Sequence, residues 1–596
     1  DLTELKGLKY ILLVLFLTLS LGSPCKAQVK SNSRLAFEYF NDGEWSKAAP
    51  LFQAMYSSNN TKAYLNYYVR CLTELKDFDT AEKELRKVQR QTKDVGIYID
   101  LAYLFELQGD RKKSDLYLEK PFKEYPRTEA SIRNLGNLYV SYRKFDYAER
   151  AFTIGRTILG QENLFRVDLA NLYRLQRRHD EMVDEYLALL LSQPTYLGSV
   201  ENYLRSALTG DIDGNLLEII QTKTLEYIQQ FPGLVIFPEL LIWVYTRQND
   251  YESAVDQAIS LDIRSKNIGQ QTLALARQAR LAGDYTSALR AYEYITSLNP
   301  VDQNPIPNRN TRFQSPLTIA FLESRQTRLE QLEHANEQDS NNFRLLHSAY
   351  QQTLKTLSHP IQRASAFRDM SYINMYYLSD YTTGLSEIDS AVNLTSPNRQ
   401  TNATFLLDKA DFLMISGDPW TATLLYARIE KENRENPIAS VAKLRKAQLA
   451  FYTRDFRWAL SQLNVLKGSS SKLIANDAFE LAGMIKSNQS DEDSLNTGLN
   501  MLSKAYQFRF QKQTDSCLLV LDSLINLKEN PAVDDALFMK AEIFNERGRN
   551  QDAIILLKEI ILNYQKDIWG HKAIFKLGSL YLQEGNLEEA DKHFKN

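Results

Sequence analysis

The sequence predicts an all-α array of helical hairpins, and three regularities predict it: a fixed period, a pair of small residues inside each period, and a large residue one helical turn further on. Slim residues recur at Ala36, Val69, Ala102, Gly136 and Ala170, in steps of 33, 33, 34 and 34 residues. A fixed period of this size is the signature of a stacked repeat. Twelve residues after each comes Ala48, Ala81, Ser114, Ala148 or, as the poorest fit, Met182. Two antiparallel helices joined by a short turn bring such pairs face to face, where bulk would force the axes beyond the usual ~8–10 Å. Phe52, Leu85, Leu118, Phe152 and Tyr186 follow four residues later, on the same face of the second helix.

Punctuation gives the same phase independently. Pro126, Pro194 and Pro300 each lie 24 residues beyond Ala102, Ala170 and Ala276, where proline blocks continuation of the second helix. Inside the hairpins, Gly109-Asp110, Gly283-Asp284, Gly417-Asp418 and Gly585-Asn586 pair a left-handed helix stop with a residue able to cap the next helix.

Composition sets the scale of the array. A chain of 596 residues with 44% hydrophobic and 24% charged residues is too long for one core and apolar enough for several. Its 71 basic and 74 acidic residues leave a formal charge of -3, without the basic excess that neutralising phosphates requires, so nucleic acid is not an expected partner.

At this point the chain resembles the tetratricopeptide-repeat (TPR) family. Ile132, Leu135, Gly136 and Tyr139 with Ala148 and Phe152 match the family pattern, as do Ile574, Leu577, Gly578 and Tyr581 with Ala590 and Phe594; isoleucine replaces the family's usual tryptophan in both. Looser units keep phase at Ile242 and Ala254, Ala276 and Ala288, Tyr372 and Gly384, Ala410 and Ala422, Ala447 and Ala459, Ala505 and Cys517, and Ala541 and Ala553. The last third, with Asp534, Asp535, Ala536 and Leu537 leading to Ala541, is similar to exported multi-repeat proteins of Gram-negative bacteria. The resemblance implies a TPR-type solenoid that holds other proteins in a groove.

The expected organisation is two solenoid arms and a joint. Residues 1–27 read as a signal peptide: basic Lys6 and Lys9, an apolar run from Tyr10 to Leu21, and cleavage after Ala27. The run is shorter than the ~20 residues a membrane-crossing helix needs, so no permanent span is expected. Cys25 offers a rival reading as a lipidated first residue. Residues 28–300 form the first arm, with two irregular helices over about 197–231. Residues 301–362 form a connector that opens with Pro305, Pro307 and Pro316 and continues in helices near 317–334 and 342–357. Residues 363–596 form the second arm, with an extra helix near 473–486. Because the chain stops two residues after Phe594 with no polar terminal helix, a continuation beyond Asn596 is expected.

Cys71 and Cys517 sit many repeats apart, too far for a disulfide, and read as buried small residues. Chemistry is otherwise sparse. The six histidines are spaced too widely for a metal-ligand pair on one helix face, and no phosphate loop, nucleophile elbow or zinc helix occurs, so no metal, cofactor or catalytic residue is expected. Asp211-Ile212-Asp213-Gly214 lacks the closing glutamate of a calcium loop and reads as a solvated turn.

Function must then come from shape. Residues off the packing face of the first helices are Tyr103, Arg133, Asn137, Asn171 and Arg174, placed to touch a partner's main chain or carboxylate. Some TPR proteins clamp a terminal carboxylate with Lys and Asn; Asp168 stands where the resemblance would put the second Asn. The expectation is a non-catalytic scaffold or adaptor of the bacterial envelope, periplasmic or secreted and associated with the outer membrane. Its alternatives are a lipoprotein subunit of an envelope or secretion assembly, and an enzyme or enzyme subunit with a site in the irregular middle.

Overall fold

The computed structural model describes residues 24–265, 269–298, 316–434, 436–469, 471–489, 496–527, 529–564 and 568–595. The apolar run of the expected signal peptide, Pro300 and the proline-rich start of the expected connector lie outside the described residues. Among the described residues every regular element is helical, and none of these helices is long and apolar enough to cross a membrane. The chain separates into two compact units, Asp1–Asp250 and Tyr251–Asn596.

Unit 1 begins with five hairpins in the predicted register. They are Pro24–Asn41 with Trp45–Asn59, Lys62–Glu74 with Phe78–Thr92, Gly96–Leu107 with Arg111–Lys123, Glu129–Ser141 with Phe145–Leu159, and Arg166–Leu175 with His179–Ser192. The small residues of the period are what let the two helices of a hairpin nest. Ala36, Ala48, Ala81, Ala102, Ala148 and Ala170 have no exposed surface, and Phe52, Leu85, Leu118, Phe152 and Tyr186 are at most 3% exposed. Met182, the poorest fit to the pattern, is also fully buried. Leu197–Leu208 and Leu216–Gln230 are the two irregular helices expected before Ile236–Gln248. Between them the Asp211 carboxylate accepts from the backbone N–H groups of Gly214 at 3.1 Å and Leu216 at 3.0 Å.

Unit 2 repeats the logic with insertions. Hairpins form from Gln270–Leu281 with Tyr285–Ser297, Pro360–Ile373 with Tyr381–Thr395, Arg399–Ile415 with Pro419–Glu432, and Pro437–Tyr452 with Phe456–Leu466. Thr497–Phe510 with Thr514–Ile525, Val533–Glu546 with Asn550–Asn563, and Ile568–Gln583 with Leu587–Lys595 complete the series. The helices expected near 317–334 and 342–357 are Pro316–His334 and Ser340–Thr356, and the extra helix is Lys472–Ser487.

The turns behave as their chemistry dictates. Gly109, Gly283, Gly417 and Gly585 all have positive φ, between 76° and 92°, which costs a glycine nothing. The following residue then caps the second helix. Asp110, Asp284 and Asp418 each accept at 3.0 Å from the backbone N–H three residues on, and Asn586 does so at 3.3 Å. Each such cap is worth ~1 kcal/mol to its helix.

Cys71 and Cys517 are both buried and unbridged. Burial pushes each thiol up to about 11.

Candidate partner-binding groove

In unit 1 the first helices of successive hairpins present equivalent positions side by side. Arg70, Tyr103, Asn137 and Asn171 each follow a slim anchor (Val69, Ala102, Gly136 and Ala170) by one residue. The anchor turns into the hairpin, so the next side chain, about 100° around the helix, turns outward. All four are exposed, Tyr103 at 40%.

A cavity of about 690 Å³ opens along this face between the first helices of three hairpins. Asn66, Arg70 and Glu74 come from Lys62–Glu74, Asp100, Tyr103 and Leu107 from Gly96–Leu107, and Tyr142 and Arg143 from the turn after Glu129–Ser141. The tyrosine rings of Tyr103 and Tyr142 stand 4.9 Å apart, inclined at 40°. Tyr142 donates its hydroxyl proton to Asp100 Oδ1 at 2.8 Å, tying two hairpins together, while Asp100 Oδ2 has no hydrogen-bond partner. Burial pushes the Asp100 carboxyl upward, with Lys62 and the Tyr142 hydrogen bond pulling the other way. Burial, with the adjacent Asp100 charge, also raises the Tyr142 phenol.

Of the five side chains singled out from the sequence, Tyr103 lines this cavity and the other four do not. Asn137, Asn171 and Arg174 are exposed on the next two first helices. Arg133 is engaged within the fold: its Nε donates to Asp168 Oδ2 at 3.1 Å, its Nη2 to Glu129 Oε1 at 2.8 Å, and its guanidinium lies over the Phe165 ring. Asp168, which departs from the family's clamp pattern, is thus the partner of an arginine one repeat earlier. Sequence reasoning missed Asp100, Arg70 and Tyr142. Arg70 was recoverable from the period, since it stands 33 residues before Tyr103. Asp100 was hidden in the apolar stretch Ile97 to Phe105, and its hydrogen-bond donor lies 42 residues away.

In unit 2 many ionisable groups are bonded to one another. Glu333 accepts from the hydroxyls of Tyr372 at 2.8 Å and Tyr377 at 2.5 Å and pairs with Lys512, which lies 179 residues away. Burial opposes its charge, but Lys512 and the two phenols hold its carboxyl below the usual range. Asp369 accepts from Gln326 Nε2 at 3.0 Å and from the Tyr350 hydroxyl at 3.1 Å. Arg368 Nε lies 2.9 Å from Asp408 Oδ2, and Asp411 accepts from the Tyr426 hydroxyl. Burial raises Asp369 and Asp411 and lifts Asp408 to about 6.

Two cavities described in unit 2 lie apart from these carboxylates. One of about 170 Å³ is lined by Tyr452, Glu480, Met484 and Tyr506, and one of about 470 Å³ by Trp420, Leu449, Asp455 and Trp458. Among the described residues no three His, Cys, Asp or Glu side chains gather in a way that could hold a metal ion.

Comparison with known proteins bears on the repeat. Two family models, each described as tetratricopeptide repeat, match residues 535–567 and 571–596. No curated protein matches the chain. Among solved structures, Naa15/Naa10 bound to HypK-THB is 13% identical, with 95% of this chain and 93% of that one aligned at a TM-score of 0.27. The APC/C hetero-tetramer Cut9-Hcn1 is 11% identical over 75% of this chain and 95% of that one, with a TM-score of 0.27. Yeast Tom70 is 13% identical over 76% of this chain and 96% of that one, with a TM-score of 0.28. Among the described residues both units are built of helical hairpins with no strand, and residues 535–567 and 571–596 carry tetratricopeptide repeats.

Proposed function

We propose that this protein is a non-catalytic scaffold or adaptor of a bacterial cell envelope, and that it holds a segment of a partner protein in the unit 1 groove. One observation carries the reading: along its first helices unit 1 leaves a cavity of about 690 Å³ whose lining includes the exposed side chains of Asn66, Arg70, Glu74 and Tyr103. Stacked hairpins present such a surface to an extended segment or a helix. Glu333, Asp369 and Asp411 of unit 2 favour this over an enzyme, because lysine, glutamine and tyrosine partners occupy them and they line neither cavity described there.

Photo-cross-linking tests the groove. A photoreactive side chain placed at Asn137 or Asn171 should capture a partner from envelope extracts, and one at Leu116, exposed on a second helix, should not. Equal capture from all three positions rejects the groove.

Export is the finer part of the proposal. Lys6, Lys9 and the run from Tyr10 to Leu21 support it, and N-terminal sequencing of the mature protein should begin at Gln28. Association with the outer membrane would follow from a partner there. A mature chain that begins at a lipidated Cys25 would replace this reading with that of a lipoprotein subunit of an envelope or secretion assembly.

A further inference from the structure

Unit 2 lays a piece of its own chain across its first helices. The turn between Thr497–Phe510 and Thr514–Ile525 carries Phe510 and Lys512 at the tip of a hairpin. That hairpin packs against Pro437–Tyr452 on one side and Val533–Glu546 on the other, as a stack of nearest neighbours requires. Its tip reaches further back. The Phe510 ring lies 5.9 Å from that of Tyr452, under the Arg445 guanidinium, and packs against the cluster that holds Phe405 and Phe412. The Lys512 ammonium is bonded to Glu333 and to the hydroxyls of Tyr372 and Tyr377, and stands 4.9 to 5.5 Å from the ring centres of Tyr372, Tyr376 and Tyr377. Tyr452, Tyr372 and Glu333 belong to Pro437–Tyr452, Pro360–Ile373 and Pro316–His334, so the tip spans hairpins that are not its neighbours.

We propose that the Phe510–Lys512 turn is a built-in occupant of the first-helix face of unit 2, and that the bonds of Lys512 to Glu333, Tyr372 and Tyr377 form a releasable clasp that holds this face shut. The proposal concerns a different unit from the groove above and stands or falls independently of it. One ammonium serves all three acceptors, so loss of a single side chain undoes the whole junction. The junction is also within reach of solvent: Lys512 and Glu333 are 36% and 27% exposed, against 16% and 11% for the sealed pair Arg156 and Glu185. Water and competing charges can replace partners of the first kind and not of the second. Release uncovers Tyr372, Tyr376, Tyr377 and Tyr452 with Arg445 beside them, a set rich in the aromatic and arginine side chains that protein-binding surfaces favour.

The test measures the span of the clasp in the full chain by pulsed electron spin resonance. Spin labels go on Ala335→Cys and Gln513→Cys, two exposed positions that flank Glu333 and Lys512, in a protein that also carries Cys25→Ala; Cys71 and Cys517 have no exposed surface to label. The parent should give one narrow distance distribution. Lys512→Met, which keeps the apolar stem, and Glu333→Gln, which keeps an acceptor for the two phenols, should each add a population longer by about 10 Å, one helix diameter, with helical circular dichroism unchanged. Lys572→Met breaks a different long-range pair, with Glu480, and should leave the distribution as it was. A parent-like distribution in both clasp variants overturns the proposal. So does an equal shift in Lys572→Met, which would make the opening unspecific, or a loss of helicity in both clasp variants, which would make the junction a structural contact rather than a clasp.

Discussion

Gly136 lies directly beneath the ring of Phe152: a β-carbon built on it would sit 2.3 Å from Phe152 Cζ and 2.4 Å from Cε1. The second close match to the repeat pattern has the same relationship, with Gly578 and Phe594 Cε1 at 2.9 Å. These contacts show what the period encodes. The slim residue of the first helix makes room for the large residue of the second, and the hairpin closes around that pair.

Gly136→Ala should therefore destabilise unit 1 despite alanine's better helix propensity. Phe152 is fully buried and cannot swing clear, so overpacking should cost about 1–3 kcal/mol. Gly198, also helical, has nothing within 4 Å of its built β-carbon, and Gly198→Ala should be neutral or raise stability by up to ~1 kcal/mol. Thermal unfolding of the two variants side by side decides the matter, and a Gly136→Ala protein as stable as the parent would refute the packing account.

Glu185 should be the most sensitive charged residue of unit 1. Its carboxylate accepts from Arg156 at 3.0 and 2.7 Å and from Arg166 at 2.9 Å, and all three side chains are less than one-fifth exposed. Glu185→Ala strands two mostly buried guanidinium groups. The expected loss is about 3–5 kcal/mol, whereas breaking the exposed Lys113–Asp110 pair by Lys113→Ala should leave stability almost unchanged. Denaturant midpoints of the two variants measure the contrast.

Acid should help unit 2 at Asp408. Its folded carboxyl titrates at about 6, above the ~3.9 of an unfolded aspartate, mainly because burial disfavours the charge. Between those values the folded chain binds the proton and the unfolded chain does not, so this group's contribution to stability grows as pH falls from 7 towards 4. Asp408→Asn removes the titration. The stability of the parent relative to Asp408→Asn should therefore rise by on the order of 2 kcal/mol between pH 7 and pH 4. A gap that stays constant, or moves the other way, excludes a raised carboxyl at this position.

Neither Cys71 nor Cys517 should react with iodoacetamide in the native protein. Both have no exposed surface, and thiols raised to about 11 are only about one part in a thousand thiolate at pH 8. Mass spectrometry of peptides carrying the two residues should show alkylation after denaturation and almost none before it.

Much of the fold was legible because hairpin closure is a short-range affair. Gly136 and Phe152 are 16 residues apart, and Gly109 and Asp110 end one helix and cap the next in adjacent positions. Even the irregular pieces, Pro316–His334, Ser340–Thr356 and Lys472–Ser487, could be placed between stretches rich in proline, serine and asparagine. The groove was half legible. Periodicity put Tyr103, Asn137, Asn171 and Arg174 off the packing face, where they are exposed. The same rule gave Arg133 an outward position, but its charge is taken by Asp168, 35 residues on, and by Glu129.

The sequence by itself determined the period, the helix pairs, their caps and the face each helix buries, because each follows from contacts within about one repeat. Only the tertiary structure decided which polar groups remain unsatisfied. Asp100 keeps one oxygen free because Tyr142 from the next hairpin reaches the other, and Glu333 is held by Lys512 from 179 residues away. The physical reason is that apolar packing repeats with the helix, whereas a hydrogen bond is satisfied or not by whichever single atom the stacked neighbours bring within about 3 Å.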